Sequence, residues 1–256
     1  MLARLLLPIA CVALAAAPCA AQGGMRVVDR ADSLYFSGEP EASFELLRAH
    51  LVDDPGDYDA LWKSVRACLV LGSAGEGWRN QNPWLDLGME LGNRSVELRP
   101  EGIEGRYWRA AITGRRAQNA AAEYGAKLAE ISYEDAYAIL AVDPDHGGAH
   151  NILGKIFFEV MSLSRFERFV GRTFVRTQAL KESSWEAAEE HLEAAAQDWP
   201  DWMRFQYDLA ELYRKRGRKD EARAAYARVT HMPVVHPSDE SLLEDAAHAL
   251  RELGSE

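Results

Sequence analysis

With 256 residues, 48% of them apolar and 27% charged, the chain is long enough to bury a sizeable core and lacks the composition of a disordered segment. Its formal charge of −11 weighs against a nucleic-acid partner, because binders of that class draw most of their affinity from neutralising phosphates. Only three cysteines are present, which excludes a disulfide-stapled mini-domain.

The first element is an export signal. Met1 to Arg4 carries positive charge, Leu5 to Ala17 is apolar apart from Pro8, and Cys19-Ala20-Ala21 offers small residues ahead of Gln22. The expectation is a signal peptide over 1–21, a flexible start over 22–30 and one helical domain over 31–256, in a periplasmic or secreted protein. The alternative is an uncleaved N-terminal membrane anchor, since the 17 residues from Leu5 to Ala21 reach the short edge of a bilayer span. Cleavage removes Arg4 and takes the charge from −11 to −12. It also leaves Cys68 as the single thiol, so an internal disulfide is impossible; between Ala67 and Leu69, Cys68 reads as a small buried hydrophobe.

The helices that follow are located by their punctuation. Leu34, Gly38, Ser43, Leu47 and Pro55 outline a short first unit. Pro55, Pro100, Pro144 and Pro200 each close an amphipathic stretch, where proline stops one helix without entering the next. Ten residues after these prolines stand Val65, Ala110, Gly154 and Ala210, and twelve before them stand Ser43, Gly88, Ser132 and Ala188. All but Val65 are small, as required where two antiparallel helices cross at the close end of the ~8–10 Å range. The prolines are 45, 44 and 56 apart, against about 34 for a simple tetratricopeptide unit. The excess falls inside each hairpin, between its small residues. Gly72 to Gly77 reads as a loose hairpin connection, with no P-loop lysine.

The last unit is the cleanest, with Leu209, Ala210, Tyr213, Gly217, Ala222 and Tyr226, and Gly217 suited to the turn. Pro237 and Ser238 open a closing helix, with Ser238 as N-cap and acids behind it. The fold class is therefore all-α: a tetratricopeptide-like superhelix of five antiparallel helix pairs with long intra-hairpin insertions and a C-terminal capping helix.

At these residues the chain resembles the regulator of microtubule dynamics family. The resemblance covers roughly Asp57 to Leu250 and rests on Leu61-Trp62 with Arg66-Ala67-Cys68, on Tyr107-Trp108-Arg109-Ala110, and on His150-Asn-Ile-Leu-Gly154 through Val160. The insertion from Met161 to Lys181 and the Met232-Pro233-Val234 turn add to it. It implies helical repeats, no catalysis, and in some members a groove that takes up phospholipid. The export signal departs from the eukaryotic members and sets a microtubule role aside.

With the first helix of each pair on the concave side, a groove is expected at Trp62, Arg66, Tyr107, Trp108, Asn151, Lys155, Phe158 and Tyr207. Rings with basic neighbours suit a protein or peptide partner with aromatic and acidic residues, or an apolar ligand with an anionic head. The competing reading is that the rings pack between hairpins. In the insertion, Arg165, Arg168, Arg172 and Arg176 recur at helical spacing beside Phe166, Phe169, Val170 and Phe174. With five basic residues and one acid over 161–181, this basic strip suits phospholipid or an anionic membrane surface. Arginines paired with the protein's own acids are the alternative.

His146 and His150 beside Asp143 and Asp145 fall short of a closed ligand set and read as exposed helix-start residues. No nucleophile with a base, paired acid motif or phosphate loop is present, so neither catalysis nor a cofactor or metal is expected. The functional expectation is a non-enzymatic scaffold for a protein or peptide partner, with a lipid carrier as the alternative.

Overall fold

The computed structural model describes residues 25–164 and 177–255. Among them, ten helices form five antiparallel hairpins: α1 (Val27–Phe36) with α2 (Pro40–Asp53), α3 (Tyr58–Ala74) with α4 (Gly77–Leu98), and α5 (Ile103–Ala117) with α6 (Ala122–Leu140). Then α7 (Gly147–Ser162) pairs with α9 (Trp185–Asp198) across the short α8 (Gln178–Glu182), and α10 (Met203–Lys215) with α11 (Lys219–Val229). Helix α12 (Asp239–Ser255) packs on α11 and α10 as the cap. Among the described residues no helix is long and apolar enough to cross a membrane.

The small residues lie where the helices cross. Ser43, Val65, Ala110, Ser132, Ala188, Ala210 and Ala222 are fully buried. The two serines also close their hairpins by hydrogen bonds: Ser43 Oγ donates to the Ala31 carbonyl at 2.7 Å and Ser132 Oγ to the Ala110 carbonyl at 2.9 Å. A Cβ on Gly88 would run into Ile112 and Cys68, and Cys68 is itself buried, its thiol pushed up to about 12 by desolvation. Tight turns are left to Gly38 and Gly217, at φ 85° and 74°.

Three expectations are corrected. Helix α1 begins at Val27, inside the stretch expected to be flexible, because Val28 and Ala31 put an apolar stripe into the core. The extra residues between Val65 and Gly88, and between Ala110 and Ser132, lengthen helices instead of forming loops. Thus Gly72 lies within α3, where a Cβ would meet Leu85 Cδ2 at 2.7 Å, and only Gly75 and Glu76 link α3 to α4. At the cap, Ser238 stands immediately before α12, and the carboxylate of Asp239 accepts the backbone N–H groups of Val235 and His236 at 3.0 and 2.8 Å. The third correction concerns His146, which is buried and caps α7, its Nδ1 accepting the Ala149 N–H at 3.0 Å.

First helices approach first helices along the whole series: α1 to α3, α3 to α5, α5 to α7, α7 to α10 and α10 to α12. The second helices show no comparable run. Shorter spacing on one side curves the stack toward that side, so the first helices line the concave face.

Candidate functional site

Among the described residues, the concave face divides into a filled end and an open end. At the filled end, the Trp62 and Trp108 rings lie parallel within 6°, centroids 6.4 Å apart. Tyr107 packs edge-on to Trp108 at 4.8 Å and to Trp199 at 6.0 Å, with His146 at 5.4 Å. Trp199 leads to Trp202 at 5.0 Å, and Trp202 to His236 at 4.4 Å. His236 also meets Tyr35 and Phe36 of α1, at 6.3 and 5.6 Å. The rings thus run from α5 to the turn before the cap and back to the first hairpin.

Glycines make this packing close. A Cβ on Gly148 would stand 2.5 Å from Tyr107 Cε2, and one on Gly147 2.8 Å from Trp199 Cγ. Each groove indole finds a carboxylate one turn earlier on its own helix: Trp62 Nε1 donates to Asp59 and Trp108 Nε1 to Glu104, both at 3.2 Å. Burial raises the Glu104 pKa, opposed by that hydrogen bond and by the charges of Lys63 and Arg66.

Arg66 is buried here as well. It pairs with Asp32 at 2.5 Å and lies over the Tyr35 ring at 3.9 Å, while Lys63 also pairs with Asp32. Expected as groove lining, Tyr107, Trp108 and Arg66 are instead internal packing: the first two are each only 6% exposed. The physical reason is the tight curvature, which brings α1, α3, α5 and the 232–238 turn within ring contact of one another. Trp62, half-buried, forms the margin of this filled end.

The open end keeps the other four predicted residues. Asn151 Nδ2 donates to Asp208 Oδ2 at 3.2 Å, and Lys155 Nζ lies 3.2 Å from Asp208 Oδ1 and 3.7 Å from Glu159. Burial tends to lower the Lys155 pKa, but Asp208 and Glu159 outweigh it and the net shift is upward. Phe158 lies under Lys155 at 5.1 Å and meets Trp185 edge-on at 6.1 Å. Tyr207 is half-buried beside Arg204 at 6.0 Å, its hydroxyl pushed up to about 12 by desolvation and by Glu211 and Asp245. Sequence reasoning missed Asp208, which joins Asn151 and Lys155 across two hairpins.

The predicted basic strip of Arg165, Arg168, Arg172 and Arg176 lies outside the described residues, as does the predicted signal peptide over 1–21. Of the residues with metal-ligating chemistry, His50, Asp54 and Asp57 each bring one atom within 4.8 Å of the others. Asp57 is already committed there: it accepts the Ala60 N–H at 3.0 Å and contacts His50 Nε2 at 2.8 Å, fastening α2 to α3. A histidine pair spans the fourth hairpin, His150 Nδ1 and His191 Nδ1 standing 2.8 Å apart, with His150 Nε2 on the Pro144 carbonyl at 2.9 Å.

That pair makes acid costly. Desolvation, then the charge of His150, pushes the His191 pKa down from 6.5 to about 4. Between those values the unfolded chain binds more protons at this site than the folded one, so stability is present above pH ~6.5 and lost as pH falls toward 4. Burial lowers His146 and His236 in the same sense. Urea midpoints measured from pH 7 to 4 are expected to fall steadily, and His191→Gln to flatten that slope. An unchanged slope in the variant would remove His191 from the account.

A family model described as Regulator of microtubule dynamics protein 1-3 matches residues 27–254. No curated protein matches significantly. Among solved structures, the thermophilic TPR protein TTC0263 of Thermus thermophilus superposes with a TM-score of 0.62 at 22% identity, over 88% of this chain and 97% of that one. MamA (41-end) from Desulfovibrio magneticus RS-1 gives 0.45 at 15% identity, over 86% and 94%. The human IFIT1 dimer with m7Gppp-AAAA gives 0.47 at 16%, over 82% of this chain and 50% of that one. The Thermus protein is similar in fold.

Proposed function

Since this chain belongs to the regulator of microtubule dynamics protein 1-3 family over residues 27–254, we propose that it acts as a non-enzymatic helical-repeat scaffold holding a protein or peptide at the open end of its concave face. The observation that carries this reading is the division of that face. At one end Trp62, Tyr107, Trp108, Trp199 and His236 fill the space; at the other Asn151, Lys155, Phe158 and Tyr207 present half-buried polar and aromatic groups on adjoining hairpins. A surface with charged and aromatic groups side by side suits a polypeptide, which offers both kinds of partner.

The carrier reading, in which the concave face takes a lipid or other apolar ligand, is favoured less. Acyl chains need an apolar trough, and the rings that would line one are packed against each other. We further propose that the protein works outside the cytoplasm, on the strength of the apolar run and small-residue site in residues 1–21. The mature chain is then expected to start near Gln22, and N-terminal sequencing of the exported fraction checks this.

The test of the scaffold is site-specific photo-crosslinking in the producing cell. A crosslinking residue at Asn151 is expected to give a discrete protein adduct, and one at Arg48, on α2 away from the concave helices, to give none. Native mass spectrometry of the gently isolated protein runs beside it. A phospholipid mass with no protein adduct at Asn151 would replace the scaffold by the carrier.

A further inference from the structure

We propose that His50, Asp54 and Asp57 form a binding site for a divalent transition-metal ion of the zinc type, which clips the end of the first hairpin to the start of the second. His50 lies in the last turn of α2, Asp54 is the residue that closes that helix, and Asp57 is the one that opens α3. One ligand atom from each falls within 4.8 Å of the other two.

The donor set suits such an ion. Zinc accepts an imidazole nitrogen together with carboxylate oxygens, and a site of three protein ligands leaves its fourth position to water. Magnesium and calcium take oxygen ligands and gain nothing from the imidazole. His50 and Asp54 stand four residues apart at the end of α2, one helical turn, which brings both to the same side.

The positions suit it as well. His50 Nε2 and Asp57 Oδ2 are 2.8 Å apart. Ligands bound to zinc at 2.0–2.1 Å in a tetrahedron stand about 3.3 Å from one another, so this pair opens only slightly to admit an ion in place of the proton between them. The exposed Asp54 closes the set by moving in by at most about 1.5 Å, the difference between 4.8 Å and that edge. Asp57 joins without giving up its structural bond. Its other oxygen, Oδ1, is the one that accepts the Ala60 N–H at 3.0 Å, and that bond fixes the direction of the carboxylate. Burial pulls the Asp57 pKa up, but the Ala60 N–H and His50 outweigh it, and the net downward shift keeps the group charged, as a ligand must be. Between the two acids, the Pro55 carbonyl accepts from Arg94 Nη2 at 3.1 Å, which steadies the loop. With the His50 and Asp57 side chains 24% and 25% exposed, the ion has a path in from solvent.

The ion acts where two hairpins meet. The first hairpin carries Tyr35 and Phe36 to the filled end of the concave face, and α3 carries Trp62 and Arg66 there. Joining α2 to α3 through a metal holds the angle between these hairpins. Because His50 and Asp57 meet only in the folded chain, binding also stabilises the fold.

The test is calorimetric titration of the full chain, purified without a histidine tag, with zinc chloride, and thermal unfolding beside it. One ion per chain and a raised melting temperature are expected, with no rise for magnesium at the same concentration. Asp54→Asn and His50→Gln should each weaken zinc binding by roughly tenfold or more, since losing even an outer partner of a metal ligand costs that much. Asp54→Asn leaves the His50–Asp57 contact and the Ala60 bond in place, so without zinc it should melt with the wild type, which separates a lost ligand from a lost fold. His191→Gln should bind zinc as the wild type does, setting the other histidine pair aside. X-ray absorption at the zinc edge should show nitrogen and oxygen neighbours at about 2.0–2.2 Å. Unchanged zinc binding in both Asp54→Asn and His50→Gln overturns the site. So does an equal effect of magnesium, or the absence of both a heat of binding and a melting shift with zinc.

Discussion

Replacing Asp135 by alanine is expected to cost the protein about 3 kcal/mol, the scale set by removing one member of a buried ion pair. Asp135 lies on α6 and is 1% exposed. Its Oδ1 accepts from Arg106 Nη1 at 2.8 Å and Arg109 Nη2 at 2.7 Å, and its Oδ2 from Arg109 Nε at 2.7 Å, so one carboxylate holds two guanidiniums of α5. The loss is large because the arginines cannot simply turn to water: Arg109 is 19% exposed and Arg106 26%. Asp135→Asn keeps the shape but loses the charge, and should cost less. Urea unfolding with an unchanged m-value and a lower midpoint is the expected record. Wild-type stability in Asp135→Ala would show that α5 and α6 are held by apolar packing alone. Adding Arg109→Met to Asp135→Ala should restore part of the loss, since the stranded charge, more than the missing bond, carries the penalty.

This triad marks where the sequence stops being readable. Arg109 belongs to the Tyr107-Trp108-Arg109-Ala110 run that carries the family resemblance, yet its partner is 26 residues away on another helix. Nothing in the spacing separates Asp135 from Glu134 beside it. The repeat register, by contrast, was legible, because a proline that stops a helix and a small residue at a crossing are local demands with few solutions. The buried Ser43, Ala110, Ser132, Ala188 and Ala210 met them all.

The concave face was legible by halves for a related reason. Periodicity places Trp62, Tyr107, Asn151 and Tyr207 on one side of their helices, and the structure keeps them there. Whether that side is open depends on the curvature of the stack, and curvature is the sum of many small rotations between hairpins. Here it is tight enough to bring Phe36 within 5.6 Å of His236, a contact across some two hundred residues that no local pattern announces.

Gly154→Leu is expected to destabilise the protein by roughly 1–3 kcal/mol through overpacking. Gly154 lies in α7 where α9 crosses, and a Cβ there would stand 2.7 Å from Leu192 Cγ, 2.9 Å from its Cδ2 and 3.0 Å from its backbone nitrogen. The side-chain contacts could be relieved by a rotamer change, but the backbone contact cannot. The leucine must therefore push α9 away from α7, or leave its own rotamer well. Either response also disturbs Ala188, buried at the same crossing, and the His150–His191 contact on the same two helices. Gly114 supplies the control. A Cβ there meets nothing closer than Ser132 Oγ at 3.5 Å, an ordinary contact. Gly114→Ala should then stabilise by up to about 1 kcal/mol, the helix-propensity difference alone. Opposite signs for the two glycines in thermal unfolding are the expected result. If Gly154→Leu melts with the wild type, α7 and α9 do not meet at Gly154, and the crossing register read from the prolines fails at the fourth hairpin.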